Sequence, residues 1–497
     1  MLERLSSGGN LYVEQIQIRA RDFYLQFYQA RQFRPAWTDP KDVRDLIDGL
    51  KSTQNDGLLI EDFHYATVVR LQNLEGLNPI QIAERDILFT DALAIMANQL
   101  FYGKVNPTSL DADWNIEKPL FRGEPVKVLE NALRDDKLLP LIASLRSQSP
   151  SYEKLRKALE SERNSLQQAQ VIVPGGPTMG LGDDGMRVAA LRSRLGLAEG
   201  TLFNKVVEVA VLAFQRSKRL SSDGRVGKQT LAALNIGPKQ RIETLRVNLE
   251  RARWLRDIGL DEKFIAVNIA GFRVYLIENG NISWQTRAVV GKTYHKTPLF
   301  TASLKYLVLN PTWTPTPNIL RNETVPKARR DPGYLASKNY VVYDKSGGKI
   351  DPGKVDWSNY RQYRIVQQPG PGNALGRVKF IFPNKHFVYL HDTPSRSLFG
   401  EKSRAFSHGC IRIENPLELA RRLLADRKKW TPKAIDRVLK TGRTATVHLR
   451  KPIPVFLLYW TANPLREGAE IEYLPDVYGR DGAILKALDR PFSTGRI

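Results

Sequence analysis

One cysteine, Cys410, is all that 497 residues contain. A single thiol excludes an internal disulfide and any zinc site built from paired cysteines, and it says little about compartment. No stretch approaches the roughly 18 apolar residues that a membrane-spanning helix needs, so no transmembrane segment is expected. The opening MLERLSSGGN lacks the apolar centre of a secretory signal. The sequence therefore reads either as cytosolic or as starting after a removed signal or anchor. Carboxylates are also in deficit, 52 against 75 Lys and Arg, for a formal net charge of +23. Such a surface attracts polyanions: nucleic acid, anionic lipid or an acidic polymer. The cations are spread along the whole chain, however, and no zinc finger or RNA-binding aromatic signature is present. Nucleic acid is not the expected partner.

What is present is a globular chain, 42 % hydrophobic, of a length that suggests about three domains. Residues 10–172 place apolar side chains at three- and four-residue spacings, as in DILFTDALAIMANQLFYG, which predicts a helical scaffold domain. Asp39 or Asp42 is placed to cap the helix through VRDLIDGLKS. His64 stands alone and is expected to be structural. VPGGPTMGLGDDG, residues 173–185, reads as a linker. Three short amphipathic helices are expected within 180–237. Val188, Leu191 and Leu195 share a face of the first, and Val206, Val209, Ala213 and Phe214 are expected to share a face of the second. A helix over 238–258, with Ile242, Leu245, Leu249 and Leu255 on its apolar side, is expected to complete the scaffold domain.

From residue 262 the pattern alternates as strands do, and Asn279-Gly280 is a strong hairpin signal. Residues 262–497 are expected to form one β-rich domain, interrupted at about 317–376 by a polar, Pro/Gly-rich insertion or lid. The expected fold class is α+β and multidomain.

If NKHFVYLHD is a strand, Phe387, Tyr389 and His391 share one face while His386 lies on the other, so the two histidines form no metal site. If SHGCIRI is extended, His408, Cys410 and Arg412 share a face, with Ile411 and Ile413 opposite. A thiol beside an imidazole and a guanidinium suits acyl transfer, because the thiolate is the nucleophile and nearby cations favour it. Gly409 leaves the backbone open to approach, and amides at a Gly-Cys step can stabilise an oxyanion. His295, His386 and His448 are expected to be structural or on the surface.

Two resemblances follow from these residues. Phe214-Gln215, Asp223-Gly224, Val226-Gly227, Thr230 and Leu234-Asn235 resemble, in order, the pattern of the peptidoglycan-binding-1 module. His391, then 15 residues, then Ser407-His408-Gly409-Cys410 resembles the signature of the L,D-transpeptidases with a YkuD-type catalytic domain. YLHDTPSRSLF, NPTWTPTPNI and RVNLERARWL are similar to the large YcbB-like branch of that family.

The resemblance implies that Cys410 is the nucleophile and His391 the general base, oriented by the backbone carbonyl of Asp392. Amides at Gly409 and Cys410 would form the oxyanion hole. His408 and Arg412 would be auxiliary, although many members carry Asn in place of Arg412. Trp313, Tyr389 and Ser407 are candidates for the substrate groove. The implied substrate and partner is peptidoglycan. A donor stem tetrapeptide would lose D-alanine to form a thioester, and the diaminopimelate side-chain amine of an acceptor stem would capture it as a 3-3 cross-link. No metal and no cofactor is called for. Carbapenems would acylate the same thiol, cell-wall synthesis proteins are conceivable partners, and the place of work would be the periplasm, with any signal or anchor outside this sequence. A Cys/His stem-peptide hydrolase, which lets water take the thioester, and a non-enzymatic wall-binding scaffold both stay open.

Overall fold

A computed structural model describes residues 11–492, except 111–113, 118–119, 168–169, 219, 257–261, 332, 426–427, 466–467 and 469. The chain divides into two compact units, one of residues 1–112, 116–260 and 460–497, the other of residues 113–115 and 261–459. No helix among the described residues is long and apolar enough to cross a membrane.

In the first unit, helices start where the sequence supplies caps. Asp39 accepts from the Lys41 amide and Pro40 opens α1 (Pro40–Ser52), while Asp42, the other candidate cap, is buried in its first turn. Asn78 and Gln81 make a reciprocal capping box before α2 (Pro79–Tyr102). Ser149 caps α3 (Pro150–Asn164). Tyr24, Phe27, Trp37, Phe63 and Phe89 lie in the core.

Asp56, Asp86 and Asp91 are buried there, each among donors. Asp86 accepts from the amides of Ala36 and Trp37 and the hydroxyl of Tyr28. Asp91 accepts from the Arg19 and Ala20 amides and pairs with His64 at 2.9 Å, which gives that histidine its structural role. Asp56 pairs with Arg146 and Arg156 and accepts from Tyr152.

The small module folds around its own core with α4 (Met186–Arg194), α5 (Lys205–Ser217) and α6 (Lys228–Leu234). The 173–185 stretch is not a free linker. Met179 and Val226 exchange both backbone hydrogen bonds, and Val173 and Met179 are buried in the module core. The buried face of α5 also differs from the expected one: Val207, Val211 and Gln215 are inside, whereas Val206 and Val209 are exposed. Gln215 sets that rotation. Its carboxamide donates to Asp223, the Arg225 carbonyl and Thr230, and accepts from the Gly224 amide. A buried amide so fully satisfied cannot turn outward without stranding several partners.

Helix α7 (Pro238–Trp254) packs against α3, with Leu245 and Leu249 buried beside a buried Glu250–Arg253 pair. Residues 460–497, expected in the β-rich domain, belong to this first unit instead. The reason is polar: Asn248 on α7 bonds Thr461 in both directions, and Arg251 pairs with Asp481 at 2.7 Å.

The second unit is built on β1 (Lys263–Asn268), β2 (Arg273–Glu278), β3 (Asn281–Gly291) and β4 (Leu299–Leu309). Asn279 and Gly280 both have positive φ, as a tight two-residue turn between β2 and β3 demands. The insertion follows. It contains short helical turns and a separate sheet of β5 (Tyr340–Tyr343), β6 (Lys349–Ile350) and β7 (Arg364–Gln367). Ala328, Leu335, Val342 and Ile365 give it a core of its own, so it is a folded layer and not only a polar loop.

The main sheet then resumes with β8 (Val378–Ile381), β9 (Leu390–His391), β10 (Ala405–Ser407), β11 (Ile411–Ile413) and β12 (Ala445–Leu458). Its order is β8-β9-β11-β3-β2-β1-β12-β4, and β4 also pairs with β8, which closes the ring. Trp114–Asn115, expected in the scaffold domain, pairs in parallel with β4.

Candidate active site

The site forms where two-residue β9 lies between β8 and β11. His391 has Lys379 as its register partner on β8 and Arg412 on β11. The strand is shorter than its alternation suggests. Asn384 accepts from the amides of His386 and Val388 and so folds the preceding residues into a turn. Phe387, expected beside His391, is 82 % exposed with φ of +55° and does not share its face. Tyr389 does stay close, its ring centroid 5.6 Å from that of His391.

His391 is buried, and its Nδ1 lies 2.5 Å from the carbonyl oxygen of Asp392. A carbonyl only accepts, so Nδ1 carries the proton and Nε2 keeps its lone pair. Burial, then the charges of Arg412 and Lys379, push the imidazole pKa down to about 3 against the opposing pull of the Asp392 carbonyl. The ring is neutral at any physiological pH. The Asp392 carboxylate has other work: it accepts from the Arg377 and Thr393 amides and pairs with Arg396. A Cβ on Gly376, whose φ is +58°, would come within 2.4 Å of it.

Residues 408–410 bend between β10 and β11 and are not the extended strand expected. Gly409 has φ of +116°, a region closed to most side chains. Ser407 Oγ spans this bend, donating to the Cys410 carbonyl at 2.5 Å and accepting from the Gly409 amide at 3.0 Å. Two expectations change as a result. Ser407 is buried and holds the backbone, so it lines no groove. The Gly409 amide is committed to Ser407, so it is not open to a substrate oxygen as expected. Thr297, buried, completes the bend by donating to the Gly409 carbonyl at 2.8 Å and accepting from Gly291.

Cys410 is half-buried, and its Sγ lies 3.7 Å from the Phe387 carbonyl. Burial pushes the thiol pKa up, against the Tyr389 amide, the Tyr389 hydroxyl and the Arg412 charge. Thiol and imidazole are therefore both neutral at rest. β9 and β11 pair in parallel with His391 opposite Arg412, and Cys410 immediately precedes β11, so the thiol and the imidazole are carried by adjacent strands. The Arg412 guanidinium is mostly buried, and its Nε has no hydrogen-bond partner among the described residues.

The Tyr389 hydroxyl touches both Cys410 and Trp313. Trp313 exchanges two backbone hydrogen bonds with Gln367 and packs on the insertion's core. His408 and Cys410 diverge at Gly409. The His408 imidazole Nε2 lies 3.1 Å from Glu323 of the insertion, and its ring is 5.5 Å from that of His295. Among the described residues no group of three or more His, Cys, Asp or Glu is placed to hold a metal ion.

Residues 262–447, which hold every one of these groups, match the family profile described as the L,D-transpeptidase catalytic domain. This chain carries an L,D-transpeptidase domain. Residues 193–234 match a profile described as "Putative peptidoglycan binding domain", and residues 23–159 one described as "Scaffold domain". The chain is 36 % identical over 245 residues to a Haemophilus influenzae protein named "Putative L,D-transpeptidase". That match covers 49 % of each, so the chain spans about half the length of this curated relative.

Two solved structures are similar at lower levels. The L,D-transpeptidase of Xylanimonas cellulosilytica is 14 % identical, with 57 % of this chain and 99 % of that one covered and a TM-score of 0.16. The L,D-transpeptidase of Stackebrandtia nassauensis is 13 % identical, with 58 % and 97 % covered and a TM-score of 0.21. At these scores the superpositions add no argument.

Sequence reasoning missed three residues of the L,D-transpeptidase domain: Thr297, Lys379 and Glu323. Lys379 is a charge inside the apolar strand VKFIF, which was a usable signal, but only the pairing of β8 with β9 puts it beside His391. Thr297 and Glu323 sit far from the motif in sequence, and no spacing rule points to them.

Proposed function

We propose that this chain is a peptidoglycan L,D-transpeptidase that works through a thioester on Cys410. The observation that carries the reading is a buried, neutral imidazole whose tautomer is fixed by the Asp392 carbonyl, on the strand paired with the one that Cys410 leads into. As Sγ attacks the carbonyl carbon of the L-centre in a donor tetrapeptide, His391 Nε2 takes the thiol proton. The developing oxyanion is met by the Cys410 amide. His391 then gives the proton to the departing D-alanine nitrogen, and the C–N bond breaks. Arg412 and Lys379 favour negative charge on sulfur and oxygen and disfavour a resting imidazolium, so the proton moves during attack and not before it.

An acceptor-stem amine then attacks the thioester carbonyl, the C–S bond breaks, and a 3-3 cross-link results. The peptidoglycan module and the basic surface would each hold the wall weakly, and tethering would multiply their effects. The order of scaffold, module and catalytic domain supports the YcbB-like branch, a periplasmic site of action and acylation of Cys410 by carbapenems.

Purified disaccharide-tetrapeptide is the test substrate. Cross-linked dimers in the wild type and none with Cys410→Ala are expected by mass spectrometry. Cleaved monomers with no dimers would assign water, not an amine, as the acceptor.

A further inference from the structure

The surroundings of Cys410 are cationic. Arg412 and Lys379 flank His391, and Lys292 and His295 lie beside His408. That suits a thiolate and an oxyanion. It does not suit an amine acceptor, which arrives at neutral pH as an ammonium ion and must also shed a proton before it can attack. Glu323 is the carboxylate placed to resolve this. It sits in a π-helical turn, Leu320–Thr324, a distortion frequent at functional sites. The turn is anchored immediately after Glu323 by buried Thr324 and Val325, and the Thr324 hydroxyl bonds Tyr340 in the insertion. The carboxylate itself stays 43 % exposed, 3.1 Å from His408 Nε2, and its charge is felt by Arg412 as well.

We infer that Glu323, paired with His408 at the rim of the bend that carries Cys410, is the acceptor-side determinant, receiving the ammonium group of the incoming amine. The inference rests on the transferase reading and deepens it. The protons balance as follows. The acceptor R–NH3+ gives one proton through the Glu323–His408 pair to solvent. The neutral amine forms the C–N bond as the C–S bond breaks, and its second proton goes to the departing Cys410 sulfur. The donor half-reaction uses neither Glu323 nor His408. The insertion thereby contributes a specificity residue, and does more than cover the site.

The test follows both fates of one thioester: hydrolysis, and capture by a diaminopimelate-bearing acceptor stem, in wild type and Glu323→Gln. The ratio of capture to hydrolysis does not depend on how much enzyme is folded. It is expected to fall about tenfold in the variant, the size of one lost charge-assisted contact, with the acceptor KM raised and acylation slowed less than about twofold. Hydroxylamine, a nucleophile uncharged at neutral pH, is expected to capture the thioester equally in both proteins, and Glu323→Asp is expected to restore part of the ratio.

Equal capture ratios in wild type and Glu323→Gln would overturn the inference and leave the transferase reading standing. So would a variant that loses hydroxylamine capture and acylation in parallel with amine capture, since that marks a purely structural contact. A wild-type enzyme that cross-links nothing would overturn the transferase reading and this inference with it.

Discussion

The helical unit and the catalytic unit both bury charge, but on opposite terms. Asp56, Asp86 and Asp91 are each enclosed by amides, hydroxyls or cations that leave them satisfied. Around Cys410 the sign and the completeness reverse. Arg412 and Lys379 are largely buried with no ion-pair partner among the described residues, and His391 is held neutral between them. Burying an unpartnered charge costs folding free energy, so a fold keeps it only where a counter-charge arrives or forms. In the proposed reaction that counter-charge would be the sulfur and the carbonyl oxygen.

The comparison can be broken most severely at His391. His391→Gln is expected to slow acylation by about 10²–10⁴-fold, the usual worth of a general base. The same variant tests the protonation state. Between pH 6.5, the ordinary histidine value, and about 3, the unfolded chain binds a proton that native His391 refuses, so stability falls as pH drops through that window. Acid unfolding curves of the wild type should show this slope, and His391→Gln should flatten it. An unchanged slope would mean that His391 is not held neutral.

Asp56→Asn probes the other side. Removing one partner from a buried ionic cluster is expected to cost about 3–5 kcal/mol, read as a lower thermal midpoint of the helical unit. Acylation of Cys410 in protein that remains folded should not change. If the variant unfolds nothing, the aspartate is not the hub its partners make it.

Arg412→Gln removes a charge that lowers the thiol pKa, so that pKa should rise further. Alkylation by iodoacetamide near neutral pH should slow by about tenfold, one pKa unit of lost thiolate. A faster reaction would reverse the sign assigned to Arg412. The smallest expected effect is that of Thr297→Val, which strips one hydroxyl from the Gly409 carbonyl and the Gly291 amide. A stability loss of about 1–3 kcal/mol is expected by thermal unfolding, with a modest fall in acylation rate.

The same contrast explains what the sequence disclosed. The helix start at Asp39 is local, since cap and helix are adjacent in the chain. The Asn279-Gly280 turn is local for the same reason. Cys410 and His391 were legible because one motif holds both. What escaped was set by contacts between distant segments. The face of α5 is fixed by Gln215 reaching across a turn, and residues 460–497 leave the β-rich unit because Thr461 meets Asn248.

The bend at Gly409 escaped for a subtler reason. Alternation assumes extended backbone, and a single positive φ at Gly409 gave His408 and Cys410 different neighbours. That one dihedral also moved Ser407 and the Gly409 amide from substrate binding to backbone support. The cations around His391 could be counted in the sequence, but only the register of β8, β9 and β11 brings them together.

The central claim is that Cys410 is a nucleophile set among cations that await negative charge. Intact-mass spectrometry after incubation with a carbapenem tests it most directly, with Cys410→Ala alongside. The account predicts one covalent adduct per wild-type chain, none on Cys410→Ala, and slower adduct formation with Arg412→Gln. An unmodified wild-type protein, or an adduct that persists in Cys410→Ala, would contradict it.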